Sequence, residues 1–188
     1  MWPKLAVISI QLNVTEACIE FVYTPGMNDY VRIFKAFHMA NVEYIVVGGV
    51  AMNLLGYPRF TGDIDVLLAL DPENLHRMSK LMKRLGYEQR LPVAVEELGD
   101  EKKALYLIKE KNLIAYNFHH ARKPQYGIDV IVGESLKFKK YKKHAHHLEA
   151  DGIPIPVVSI DDLISMKRKS KRPKDWEDVQ ALLELKGL

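Results

Sequence analysis

Tyr44 to Leu68 reads YIVVGGVAMNLLGYPRFTGDIDVLL, and this stretch decides the fold. Tyr44, Ile45, Val46 and Val47 form an apolar run with the length and β-branched content of a buried strand, and it stops at Gly48-Gly49. Paired glycines let the backbone turn and approach a ligand closely. Val50 to Leu55 predict a short helix, whose free N–H groups and positive dipole end would face that turn and favour an anion. After Gly56, Pro58 and a turn, Asp63-Ile64-Asp65-Val66-Leu67-Leu68 predicts a second strand. Residues two apart on a strand share a face, so Asp63 and Asp65 project together while Ile64, Val66 and Leu68 pack on the other side. Adjacent carboxylates repel and resist burial unless a cation sits between them. A divalent metal with oxygen ligands, Mg²⁺ above all, answers that need.

Moving outward, residues 1–26 differ in pattern from the rest of the chain: Ala6 to Ile10 and Ile19 to Tyr23 are short apolar runs, and Thr24-Pro25-Gly26 breaks the chain before Met27. They are read as an N-terminal extension to a single domain over 27–188. Lys4 is the only early basic residue and polar residues succeed the apolar run, which argues against a signal peptide. From Asn28, the spacing of Tyr30, Ile33, Phe34, Phe37 and His38 predicts a helix against the sheet. Asp71-Pro72-Glu73 opens another, with Leu75, Met78, Leu81, Met82 and Leu85 on one face and Gly86 closing it.

Ala104 to Ile108 and Leu113 to Phe118 predict two strands joined by a turn at residues 109–112. Tyr126 to Gly133 predicts a further strand that places Asp129 inside an apolar run, where an unpaired charge is costly. An edge carboxylate paired with Lys or Arg is the alternative reading of Asp129. Asp151-Gly152 predicts a hairpin turn, Ser159 a helix cap, and Pro173 the start of a last helix with Trp176, Val179, Leu182, Leu183 and Leu185 on its apolar face.

Composition bounds the function. Hydrophobic content of 48% and charged content of 27% describe a globular chain, and no apolar run is long enough to span a bilayer. A single cysteine, Cys18, excludes an internal disulfide framework and suits a reducing cytoplasm. The formal charge of +3 is small, but Lys137, Lys139, Lys140, Lys142 and Lys143, interleaved with Phe138 and Tyr141, form a basic stretch. It reads either as a solvated helix or as a phosphate-tracking patch for RNA.

Gly48-Gly49, the thirteen residues 50 to 62, and Asp63-Ile64-Asp65-Val66 resemble the signature of the polymerase-β-like nucleotidyltransferase superfamily. Arg59-Phe60-Thr61 resembles the Arg-x-Ser/Thr element of AbiEii-type toxin nucleotidyltransferases and their uncharacterised relatives. The tail resembles their closing segment, with Leu163-Ile164-Ser165-Met166-Lys167 and then Arg172-Pro173-Lys174-Asp175-Trp176-Glu177-Asp178. The likeness covers about residues 27 to 188.

It implies an α/β (α+β) nucleotidyltransferase fold: a small mixed, mostly antiparallel sheet flanked by helices, with a C-terminal helical segment. It further implies transfer of NMP from an NTP to an acceptor hydroxyl on RNA such as tRNA, on protein or on a small molecule. Asp63, Asp65 and Asp129 would hold a two-metal Mg²⁺ site, with Mn²⁺ as a substitute. Gly48, Gly49, Arg59 and Thr61 would bind the nucleotide, and Lys167 would face the active site with Asp175 orienting it or a neighbouring base. The same likeness implies a cytoplasmic toxin with an antitoxin partner. The alternative readings are a non-catalytic nucleotide- or partner-binding relative, and an RNA-binding protein using its basic C-terminal half.

Overall fold

A computed structural model describes residues 27–122, 126–170 and 172–187. The predicted extension 1–26, with its two apolar runs and Cys18, lies outside the described residues. In chain order the elements are α1 (Met27–Met39), β1 (Tyr44–Val46), α2 (Gly48–Leu54), β2 (Ile64–Leu68), α3 (Pro72–Leu85) and β3 (Tyr87–Gln89). A short 3-10 helix (Val95–Gly99) leads into α4 (Glu101–Lys111), β4 (Ala115–His120) and β5 (Ile128–Ile131). The chain closes with α5 (Val132–Ser135), α6 (Phe138–Lys142), β6 (His146–Ala150), β7 (Ile153–Val157), α7 (Ile160–Lys169) and α8 (Pro173–Leu185).

The strands form one seven-stranded sheet in the order β3-β4-β5-β2-β1-β7-β6. It is mixed, and larger and less antiparallel than the sequence implied. β1 and β2 run antiparallel, but each is flanked by a parallel partner, β7 beside β1 and β5 beside β2. A parallel neighbour needs a long crossover, and here whole helices and edge strands lie between the paired segments. Strand alternation could not reveal that non-local pairing.

The core arises from periodicity. Phe34 and Phe37 of α1 are fully buried against Tyr44, stacked at 5.9 Å and edge-on at 4.8 Å between ring centres. In α3 the Asp71 carboxylate accepts from the Asn74 N–H at 2.9 Å, and Gly86 ends the helix at φ 80°. Asn74, fully buried, ties the helix to the sheet: its Nδ2 donates to the carbonyls of Glu43 and Ala69, and its Oδ1 accepts from the Glu43 N–H. Asp151 and Gly152 take positive φ between β6 and β7, as a two-residue hairpin requires.

Residues 104–108 are helical, not extended. The Asp100 carboxylate caps α4 by accepting from the Lys103 N–H at 3.1 Å, and Asn112 closes it in the left-handed region. Ala104 and Leu107 are buried while Tyr106 is half exposed, which is helical spacing. A five-residue apolar run fits either period, and the caps decided it. In α8 the inward face is also different from that predicted: Asp175, Asp178, Val179, Ala181 and Leu182 are buried, whereas Trp176 and Leu185 are exposed. Two buried carboxylates on an otherwise apolar face require cations beneath them.

Candidate active site

The β2–β5 register is the foundation of the site. It pairs Ile64 with Ile128, Asp65 with Asp129 and Val66 with Val130 in parallel. Paired residues on neighbouring strands share a face about 5 Å apart, so Asp65 and Asp129 stand side by side. Asp63 precedes β2 on the same face. Its Oδ1 accepts from the Gly127 N–H at 3.1 Å. Across the next pairing, Asn117 of β4 sits opposite Asp129 and donates from Nδ2 to Oδ1 at 2.8 Å. The three aspartates predicted from the sequence are therefore gathered at one end of the central strands.

Two glycines are explained by these carboxylates. Gly48 has φ +64°, and a Cβ there would overlap Asp65 Oδ2. A Cβ on Gly127 would overlap Asp63 Oδ1. Gly49 donates its N–H to Asp65, and a Cβ on it would lie 2.6 Å from Thr61 Oγ1 and 3.3 Å from Arg59 Nε. The helix begins at Gly48 itself, so the predicted turn and helix merge, and α2 is only seven residues long.

The loop between α2 and β2 is pinned at both ends. The Arg59 N–H donates to Asn53 Oδ1 at 2.7 Å, and the Tyr30 hydroxyl donates to the Thr61 carbonyl at 2.8 Å. Arg59 reaches across Gly49 to form an ion pair with Asp178 of α8. Lys167 of α7, also buried, donates to Asp178 Oδ2 at 2.5 Å and to Asp175 Oδ1 at 3.1 Å, while Arg172 Nε holds Asp175 Oδ2 at 2.7 Å. Lys167 and Asp175 are thus in direct contact. Asp178, Asn117 and Gly127 were missed as site residues. Asp178 closes the tail segment that carries the resemblance, whereas only a polar side chain within an apolar strand signals Asn117.

Charge in the site is unbalanced. Burial, and then repulsion from Asp129 and Asp63, pushes the Asp65 carboxyl up to about 6, against the lowering influence of the Gly49 N–H and of Lys167. Asp129 is also raised, mainly by burial, although the Asn117 bond opposes this. Three carboxylates in hard-oxygen chemistry, two of them held up by burial and by a neighbouring carboxylate, fit a divalent cation. Among the described residues no three His, Cys, Asp or Glu side chains form a ready-made cage, so the fit rests on donor chemistry.

The basic stretch 137–143 forms only the short α6, with Phe138 and Tyr141 buried. Lys142 pairs with Glu43 at 2.7 Å, Lys140 lies 3.7 Å from Asp162, and Lys137 lies 3.7 Å from Glu134. These amines strap α6 to neighbouring segments. No helix among the described residues is long and apolar enough to cross a membrane.

The fold is similar to that of the lincosamide antibiotic adenylyltransferase LnuA in its lincomycin-bound form, with a TM-score of 0.55 at 14% identity over 84% of this chain and 96% of that one. It is also similar to ANT(2")-Ia in complex with adenylyl-2"-tobramycin, with a TM-score of 0.51 at 13% identity over 85% of this chain and 87% of that one. At such identities the likeness is one of fold. No curated protein matches the chain significantly in sequence. Residues 33–185 do match a family, described as nucleotidyltransferase of unknown function (DUF6036), and they contain every aspartate, glycine and cation of the site. By that match the chain belongs to the DUF6036 nucleotidyltransferase family.

Proposed function

We propose that this chain transfers a nucleoside monophosphate from an NTP to an acceptor hydroxyl, releasing pyrophosphate. The observation that carries the reading is the register that sets Asp65 beside Asp129, with Asp63 on the same face and the Gly48-Gly49 turn against them. Family membership supports the same reaction class.

Asp63 and Asp65 would hold Mg²⁺, or Mn²⁺ in its place, with Asp129 toward a second ion. When bound, the metal supplies positive charge that neutralises the triphosphate and the charge developing during transfer. The remaining work belongs to the chain. Gly48 and Gly49 keep side chains out of the way of approaching phosphates. Arg59, Thr61 and Lys167 donate to phosphate oxygens. Asp129, raised by burial and held by Asn117, takes the proton of the attacking hydroxyl. The acceptor oxygen bonds to the α-phosphorus as the bond to the bridging oxygen breaks, and the electron pair leaves with pyrophosphate.

Three of the five lysines in the basic stretch are engaged by carboxylates, which favours a small-molecule acceptor over RNA. Lincomycin and adenylyl-tobramycin in the similar structures make small hydroxylated compounds the first pool to test. Label from each α-labelled NTP, with Mg²⁺, should enter one of three pools: small metabolites, tRNA or cell protein. Asp63→Asn and Asp65→Asn should each lower transfer at least ~100-fold while leaving the melting temperature nearly unchanged. Equal transfer by either variant would reject the metal mechanism. No label from folded wild-type protein would favour the non-catalytic nucleotide-binding reading.

The AbiEii resemblance extends the proposal to a cytoplasmic toxin restrained by an antitoxin partner. Growth arrest on induced expression, removed by Asp65→Asn, would support that role, and unimpaired growth would reject it.

A further inference from the structure

We infer that Asp178 is a positioning residue for nucleotide binding, which makes the last helix of the chain part of the site. The inference rests on the proposed phosphate-binding role of Arg59. Asp178 is 4% exposed and lies 119 residues from Arg59, yet its Oδ2 takes both the Arg59 guanidinium and the Lys167 ammonium. A buried carboxylate is tolerated only with cations on it, and a cation so held is fixed in direction. Among the described residues Arg59 is gripped through Nη1 alone. Its Nε is buried without a hydrogen-bond partner among the described residues, 3.3 Å from where a Cβ on Gly49 would be. Thr61 Oγ1 converges on that same point.

A network serving stability alone would be closed, with each polar group satisfied. This one leaves the Arg59 Nε unsatisfied among the described residues. It contains three cations, Arg59, Lys167 and Arg172, against two carboxylates, Asp175 and Asp178. The unpaired donor, beside Thr61 Oγ1, suits one ligand chemistry, an anionic oxygen such as that of a phosphate group near the Gly49 turn. Asp178 touches no substrate in this arrangement. It acts by keeping the guanidinium across Gly49 rather than extended into solvent.

The test is equilibrium binding of a non-hydrolysable NTP with Mg²⁺ to the full chain, which needs no acceptor. Asp178→Asn preserves shape but removes the charge that grips Arg59, and should weaken binding roughly tenfold to a hundredfold. Arg59→Gln should weaken it by a similar factor. The double variant should bind no more weakly than the worse single variant, because both changes remove the same contact. A purely structural Asp178 would lower the melting temperature but leave the dissociation constant unchanged, or add its loss fully to that of Arg59→Gln, and either result overturns the inference. Wild-type protein that binds no NTP would instead overturn the proposed function itself. If Asp178→Asn does not fold, the Arg59 Nε–H resonance of the wild-type chain can be followed during NTP addition. A shift supports the inference and an unmoved resonance overturns it.

Discussion

At the scale of single residues, the site is specified by side chains that are absent as much as by those present. Gly48 takes a left-handed φ that L side chains rarely adopt, and the space a Cβ would fill belongs to Asp65. Gly48→Ala should therefore cost at least ~2 kcal/mol and displace the Asp65 carboxylate. Thermal stability and nucleotide binding should fall together, and a variant that kept both would mean that the turn can relax. Gly49→Ala meets Thr61 and Arg59 instead, so its effect should fall more on nucleotide affinity. The motif spacing made Asp63, Asp65, Gly48 and Gly49 legible because strand period and turn chemistry are local. Asn117 was not legible, since a lone Asn in a strand acquires meaning only through the partner opposite it.

At the scale of elements, caps proved more informative than short apolar runs. The helices announced by Asp71-Pro72 and by Ser159 start where their capping residues predict, with Ser159 Oγ accepting from the Asp162 N–H at 3.2 Å. Residues 104–108 were misread because a short continuous apolar run suits a buried strand as well as a helix. The Asp100 cap offers a direct check. Asp100→Ala should destabilise the chain by about 1 kcal/mol, because α4 loses the side chain that satisfies a first-turn N–H. An unchanged urea midpoint would show that α4 depends on packing alone. α6 is a contrasting case, in which three of the lysines that suggest a ligand face in sequence lie within ion-pair distance of Glu43, Asp162 and Glu134.

At the scale of the whole molecule, the chain of ion pairs Arg59–Asp178–Lys167–Asp175–Arg172, buried at its centre, joins the loop before β2 to the two C-terminal helices. Burial opposes ionisation of Asp175, but hydrogen bonds from Ser170, Arg172 and Lys167 outweigh it and hold the carboxyl at about 2, below its ordinary 3.8. A carboxyl depressed on folding stabilises the native state above its unfolded value, and that stabilisation is lost as pH falls from about 4 to about 2. The contribution is at most about 2 kcal/mol, and solvent around the exposed Arg172 screens part of it. Asp178 shares Lys167 with Asp175, so the two carboxylates answer to the same cation. Wild type should lose melting temperature steeply over that window, and Asp175→Asn should start lower and converge with it near pH ~2. A gap that stayed constant across the window would mean that Asp175 contributes through packing rather than charge.

The sequence by itself determined the Gly-Gly turn, the paired aspartates, most helices and the presence of a third carboxylate in an apolar strand, because each depends on contacts between near neighbours. It also carried enough of a family pattern to name the reaction class. Only the tertiary structure decided that β2 and β5 run parallel with Asp65 against Asp129, that Asn117 and Gly127 hold two of the carboxylates, and that α8 turns two acids inward onto Arg59 and Lys167. Most of those pairings span tens to more than a hundred residues. Local periodicity cannot encode which distant partner will meet a buried charge, whereas the cost of leaving that charge unpaired ensures that the folded chain supplies one.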